Sequence, residues 1–203
     1  AEKETNKLQP AKYICGGCQT QNIKYEEQLK IKRKTVKDAL ERIGNIKDVE
    51  VGEVVGMEEP YRYRNKAQYP IGWKSGDVQI GFYKKRSHNI VEFEDCYIQP
   101  QQDNRIVKVI KEFLNENNIS VYDEDTKKGI VRHLMIRTGV KTKELMIVIV
   151  TNGRKLKNAE ELVERLQKEG VEFHSLIQNV NSNSGNTILG KENIVLYGKE
   201  TIT

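Results

Sequence analysis

"VRHLMIRTG" (residues 131–139) and "KELMIVIVTNG" (143–153) decide the fold. Each is an apolar run, and together they read as an apolar hairpin. The break between them, Gly139 to Thr142, is short enough for a hairpin turn. Working outward, "NAEELVERLQKEG" (158–170) reads as a helix, with Asn158 as its cap, Glu161 completing a capping box and Gly170 as its stop. Short strands then close the chain in "VEFHSLIQNV" (171–180), "NTILG" (186–190) and "NIVLYG" (193–198), with a polar loop over 179–186.

Upstream, residues 101–118 carry Ile106, Val109, Ile110, Phe113 and Leu114 at helical spacing. A first helix spans 24–43, with Leu29, Val36, Leu40 and Ile43 on one stripe and Gly44 after it. Its cations, Lys30, Lys32, Arg33, Lys34 and Lys37, read as a solvated face. Residues 50–95 read as strands: "VEVGEVVG", "YRYRNKAQYPIGW" and "DVQIGFYKK", the last two joined by a turn at Lys74–Asp77. Adjacent strands with inserted helices predict an α+β fold, its sheets mostly antiparallel and packed by two or three amphipathic helices.

With 203 residues, 37% hydrophobic and 31% charged, the chain has enough apolar surface for a core. No apolar run approaches the ~20 residues of a membrane span, so no membrane partner is expected. The first ten residues are polar and carry no secretory signal. Ala1 in place of Met reads as the start of an excised piece, so the natural protein is expected to be longer. Three cysteines do not make a disulfide framework, and a reducing cytoplasm is the expected location. The net charge of +5 permits nucleic-acid binding without establishing it.

Two motifs carry chemistry. In "YRYRNK", Arg62, Arg64 and Lys66 alternate, so a strand would present them on one face with Tyr61, Tyr63 and Asn65 on the other. The following strand continues into Tyr83, Lys84, Lys85, Arg86 and His88. Cations beside rings suit looped or single-stranded RNA, phosphates on the charges and bases on the rings. The alternative is a soluble sheet with its charges outward. Arg132, His133 and Arg137 are weaker candidates.

The second motif is "CGGC". Cys15 and Cys18 flank two glycines, and Cys96 stands far downstream. A redox pair would need a preceding strand, and a zinc site would need a second ligand pair. An iron–sulfur site would need distant cysteines, for which Cys96 qualifies. The remaining reading is a tight glycine turn that happens to carry thiols.

"CGGCQTQ", "YRNKAQYPIG", "IGFYKKRSHNIVEFEDCYIQP", "RHLMIRTG" and "NTILGKENIVLYGKETI" form an ordered series. Together they resemble the central region of bacterial RNA (uracil-5-)-methyltransferases, across nearly the whole chain. The resemblance implies that residues 1–203 are a central domain, with a cysteine-bearing segment over 1–22 and an α+β body over 23–203. It implies S-adenosylmethionine as cofactor of the longer parent and RNA as partner, ribosomal RNA of the 23S branch rather than transfer RNA. In one branch a four-iron, four-sulfur (4Fe-4S) cluster is held by C-x5-C-x2-C and a distant cysteine. Cys15, Cys18 and Cys96 match the last three ligands, and Gln9 stands where the first is expected. The family's cofactor-binding, catalytic domain follows the matched region, and its N-terminal barrel precedes it. Neither has a counterpart in this sequence, so the chain alone is expected to be inactive and to hold no catalytic residue. On this reading its partner is the methyltransferase domain of the same polypeptide. A free-standing metal-binding or scaffold module is the alternative.

Overall fold

A computed structural model describes residues 15–203, which divide into two compact units, 18–61 and 62–203 together with 15–17. In the larger unit the two apolar runs form β5 (Val131–Thr138) and β6 (Leu145–Thr151), paired antiparallel from Thr138 opposite Leu145 to Val131 opposite Thr151. The hairpin closes through the Gly139 amide, which donates to the Glu144 carbonyl at 2.8 Å.

Around this pair grows a six-stranded sheet. Its other members are β1 (Lys66–Lys74), β2 (Asp77–Ile80), β7 (Ser175–Val180) and β8 (Glu192–Gly198), in the order β2-β1-β5-β6-β7-β8. Every pairing is antiparallel except β6 with β7. That parallel step needs a crossover, which α3 (Ala159–Lys168) supplies. A second, two-stranded sheet joins β3 (Phe82–Tyr83) to β4 (Ile90–Val91). The predicted turn at 74–77 forms, with Ser75 and Gly76 both at positive φ, as a two-residue hairpin requires.

The helix α2 (Gln102–Glu116) buries the five residues its periodicity predicts. With Leu162 and Leu166 of α3 they join Leu134, Ile136, Ile147, Ile149 and Leu176 of the sheet in one core. Each such side chain contributes about 1.5–3 kcal/mol. Met135, Val148 and Ile177, aligned in register, form a separate apolar cluster.

Several sequence readings are corrected. Asn158 does not cap α3: it sits at φ 56° without a side-chain cap bond, and its amide donates to Asn117 instead. Glu161 accepts from Asn117 and Arg165 rather than closing a capping box. Gly170 does end the helix, at φ 68°, with the Val171 amide bonding back to the Leu166 carbonyl. Residues 186–190 form no strand, because the Asn181 amide claims the Thr187 and Ile188 carbonyls.

In the smaller unit α1 spans Tyr25–Asp38 and continues as a π turn through Ala39–Ile43, closed by Gly44. No residue of this helix is buried, and Ile43 is 86% exposed. The predicted strand at 49–56 is irregular. Arg33 occupies its backbone, donating twice to the Val51 carbonyl at 2.9 and 2.7 Å. The cations of α1 pair along the helix, Lys30 with Glu27 and Lys34 with Asp38, as a solvated face does.

Candidate nucleic-acid interface

β1 begins at Lys66, so Arg62 and Arg64 precede the strand and do not alternate along one face. Arg62 lies at φ 53°. Its guanidinium forks onto Asp95 at 2.8 and 2.6 Å and donates to the carbonyls of Cys96 and Gln99. The backbone amides of Arg62 and Arg64 bond to Tyr97 and Ile98. Residues 62–64 are thus strapped to the 95–99 segment, and Arg62 is spent on that strap. This corrects the reading of Arg62 as part of a free cationic face. Arg64 is half-buried, and Lys66 lies in a separate cleft with Arg137.

Tyr83, Lys84, Lys85, Arg86 and His88 do come together. Tyr83 ends β3, the other four follow in the loop to β4, and together they line an open cleft of about 670 Å³. The loop is held by its own backbone: the Lys84 amide donates to the Asn89 carbonyl at 2.8 Å, and the Ser87 amide to the Lys84 carbonyl at 3.1 Å. Arg86 turns the chain at φ 59°. The Tyr83 and His88 rings lie 5.3 Å apart, and burial pushes the Tyr83 hydroxyl pKa up. Lys84, Lys85, Arg86 and His88 are exposed, and none pairs with a carboxylate among the described residues. Phe82 anchors the loop, stacked on Phe93 at 5.3 Å and tilted against Tyr69 at 5.0 Å. The arrangement can hold a polyanion on its charges beside a base on its rings.

The glycines of "CGGC" form another wall of this cleft, which sequence reasoning missed. Cys15 bridges to Lys84, and the Gly16 amide donates to the Tyr83 carbonyl at 2.8 Å. A Cβ on Gly16 would lie 2.7 Å from that carbonyl oxygen. Only glycine lets the two segments approach this closely. No local sequence signal pairs residue 16 with residue 83.

Cys15 and Cys96 belong to the larger unit, and Cys18 opens the smaller one; all three are half-buried. Among the described residues no three His, Cys, Asp or Glu side chains are grouped to hold a metal. Gln9 lies outside the described residues. The chain's three thiols are one short of the four that hold a cubane cluster, with Gln9 at the position expected for the missing one. Anaerobic reconstitution with ferrous iron and sulfide is expected to leave the chain colourless. A stable brown product with stoichiometric iron would overturn this.

The weaker candidates also separate. Arg132 is buried, donates to the Asn181 and Asn183 carbonyls at 2.7 Å, and lies over the Tyr122 ring. His133 is held to a pKa of about 4 by burial, with the Arg132 charge adding to it. Arg137 alone of the three is exposed.

The fold and cleft define an α+β domain that presents unpaired cations around two rings on a surface loop. The chain is 53% identical over 188 residues to an uncharacterised RNA methyltransferase of Clostridium tetani, across 93% of this chain and 41% of that protein. It is 44% identical over 189 residues to one of Staphylococcus epidermidis, with the same shares. A tRNA (uracil-54, C5)-methyltransferase of Pyrococcus abyssi, solved with S-adenosyl-L-homocysteine, matches with a TM-score of 0.70 and 25% identity. That match covers 93% of this chain and 42% of the other. No protein-family model matches. The chain spans about two fifths of the length of the curated relatives it matches. No helix among the described residues is long and apolar enough to cross a membrane.

Proposed function

We propose that this chain is the substrate-RNA-binding part of an S-adenosylmethionine-dependent RNA uracil-5-methyltransferase. The observation that carries the reading is the 82–88 loop. It offers Lys84, Lys85 and Arg86, unpaired, beside the Tyr83 and His88 rings, in a chain whose relatives are RNA methyltransferases. On this reading phosphates sit on the three cations and an unstacked base lies against the rings. The cofactor pocket and the reacting groups are assigned to parts of the longer protein outside these 203 residues. We assign no catalytic residue in this chain, and no step passes through its cysteines. Ribosomal RNA is the favoured substrate, on the resemblance of Cys15, Cys18 and Cys96 to the ribosomal branch. Transfer RNA is the second reading, favoured by the Pyrococcus abyssi structure.

The test is a salt titration of binding to a uridine-containing RNA loop. Each phosphate contact on a single strand contributes a log–log slope of roughly −0.7. Replacing Lys84, Lys85 and Arg86 together with Ala is expected to flatten the slope by about 2. Tyr83→Leu is expected to weaken binding with the slope unchanged, because stacking releases no counterions. An unchanged slope in the triple variant would sink the reading. Competition between a ribosomal hairpin and a transfer-RNA T-loop separates the two substrates.

A further inference from the structure

The larger unit has a second open cleft, of about 640 Å³, where β1 and β5 meet the 139–142 turn. Lys66, Arg137 and Lys141 line it, together with Asn65, Thr142 and Thr203. Lys66 and Arg137 are directly opposite each other in the antiparallel register. Like charges in that position repel and cost stability. Both are exposed, and neither has a carboxylate partner among the described residues.

Glu144, the acid of the same hairpin, is committed elsewhere. Its carboxylate accepts from the Lys199 ammonium, from the Thr203 amide at 2.8 Å and from the Thr203 hydroxyl at 3.0 Å. Those bonds, Lys199's first, hold its pKa down to about 2, so it stays ionised and occupied. The lining side chains therefore include three cations and no acid, and the Thr203 backbone oxygen, which accepts from the Thr142 hydroxyl, lies among them. No aromatic ring lines it. A guanidinium and an ammonium on adjacent strands, with side chains rooted roughly 5 Å apart, can grip one phosphate from two sides.

We propose that this cleft is a second phosphate-binding site, which takes backbone phosphates of the same RNA and fixes its register on the domain. The inference rests on the RNA-binding reading above and adds Arg137 and Lys141 to the contact set. Because the cleft has cations and no rings, it positions the strand without reading its bases.

The test uses the 203-residue chain with Lys66, Arg137 and Lys141 all replaced by Ala, and with Arg137→Gln alone. The triple variant is expected to flatten the salt slope by about 2, and the single variant by roughly 0.7. Affinity should fall alike for uridine-rich and adenine-rich RNA. Its melting temperature is expected to match or exceed the parent's, because the repulsion between residues 66 and 137 is gone. If the 84–86 variant flattens the slope and these variants do not, the second site is overturned and the RNA reading stands. If neither set changes the slope, both are overturned. A lower melting temperature with an unchanged slope would make the cations structural and would also overturn the proposal. Should the triple variant not fold, Arg137→Gln decides alone.

Discussion

Asp103→Asn is expected to stabilise the protein at pH 8 by about 2–4 kcal/mol and to turn a nearly flat pH dependence between pH 4 and 7 into a rising one. Asp103 is 1% exposed, at the start of α2. One carboxyl oxygen accepts from the Tyr69 hydroxyl at 3.2 Å, and the other has no partner among the described residues. Burial pushes its pKa up to about 7, and the Tyr69 bond offsets part of that. Between pH 4 and 7 the folded state therefore keeps a proton that the unfolded chain releases. Stability from this group is full below about 4 and falls as pH rises through 7, by about 1.4 kcal/mol per unit at most. His133 acts oppositely in nearly the same window. Its pKa drops from 6.5 to about 4, so stability rises as pH climbs from 4 to 6.5. The two slopes largely cancel in the parent. Asp103→Asn should leave the rising slope, and His133→Gln the falling one. Urea unfolding from pH 4.5 to 8 measures both. Parallel curves for the parent and both variants would mean that neither group titrates under burial.

The core was legible because its signals are periodic and redundant. Five residues of α2 repeat at helical spacing, and two apolar runs flank a short turn, so no single residue had to be read correctly. Legibility failed where a side chain from outside the segment took over its backbone. At 49–56 the alternation of "VEVGEVVG" suits a strand, yet Arg33 holds the Val51 carbonyl and Val55 is 97% exposed. At 186–190 Asn181 plays the same part. Strand propensity describes a fit to neighbours, and sequence does not show who the neighbours are. The candidate interface divides along the same line. Residues 83–88 are contiguous, so their cluster was visible in the sequence. Gly16 reaches it only through the fold, and Lys66 leaves it for Arg137.

Arg62 marks the sharpest difference between an expected and an observed role, and its two roles predict opposite results. As a phosphate contact, Arg62→Ala would flatten the salt slope of RNA binding by roughly 0.7 and leave stability unchanged. As the strap seen here, it has the reverse signature. Its loss removes a two-pronged bond to Asp95 and the donors to two carbonyls. Breaking a fully buried pair costs ~3–5 kcal/mol. These side chains are 31% and 30% exposed, and Asp95 keeps the Asn104 amide at 2.7 Å, so solvent and that bond absorb part of the loss. The expected cost is about 2–3 kcal/mol, a fall in melting temperature of roughly 5–10 °C for a chain this size. Arg62→Lys should recover little of it, since an ammonium cannot fork onto a carboxylate and reach both carbonyls. The salt slope of either variant, measured well below its melting point, should equal the parent's. A flattened slope with an unchanged melting temperature would return Arg62 to the RNA surface and leave the strap without energetic weight.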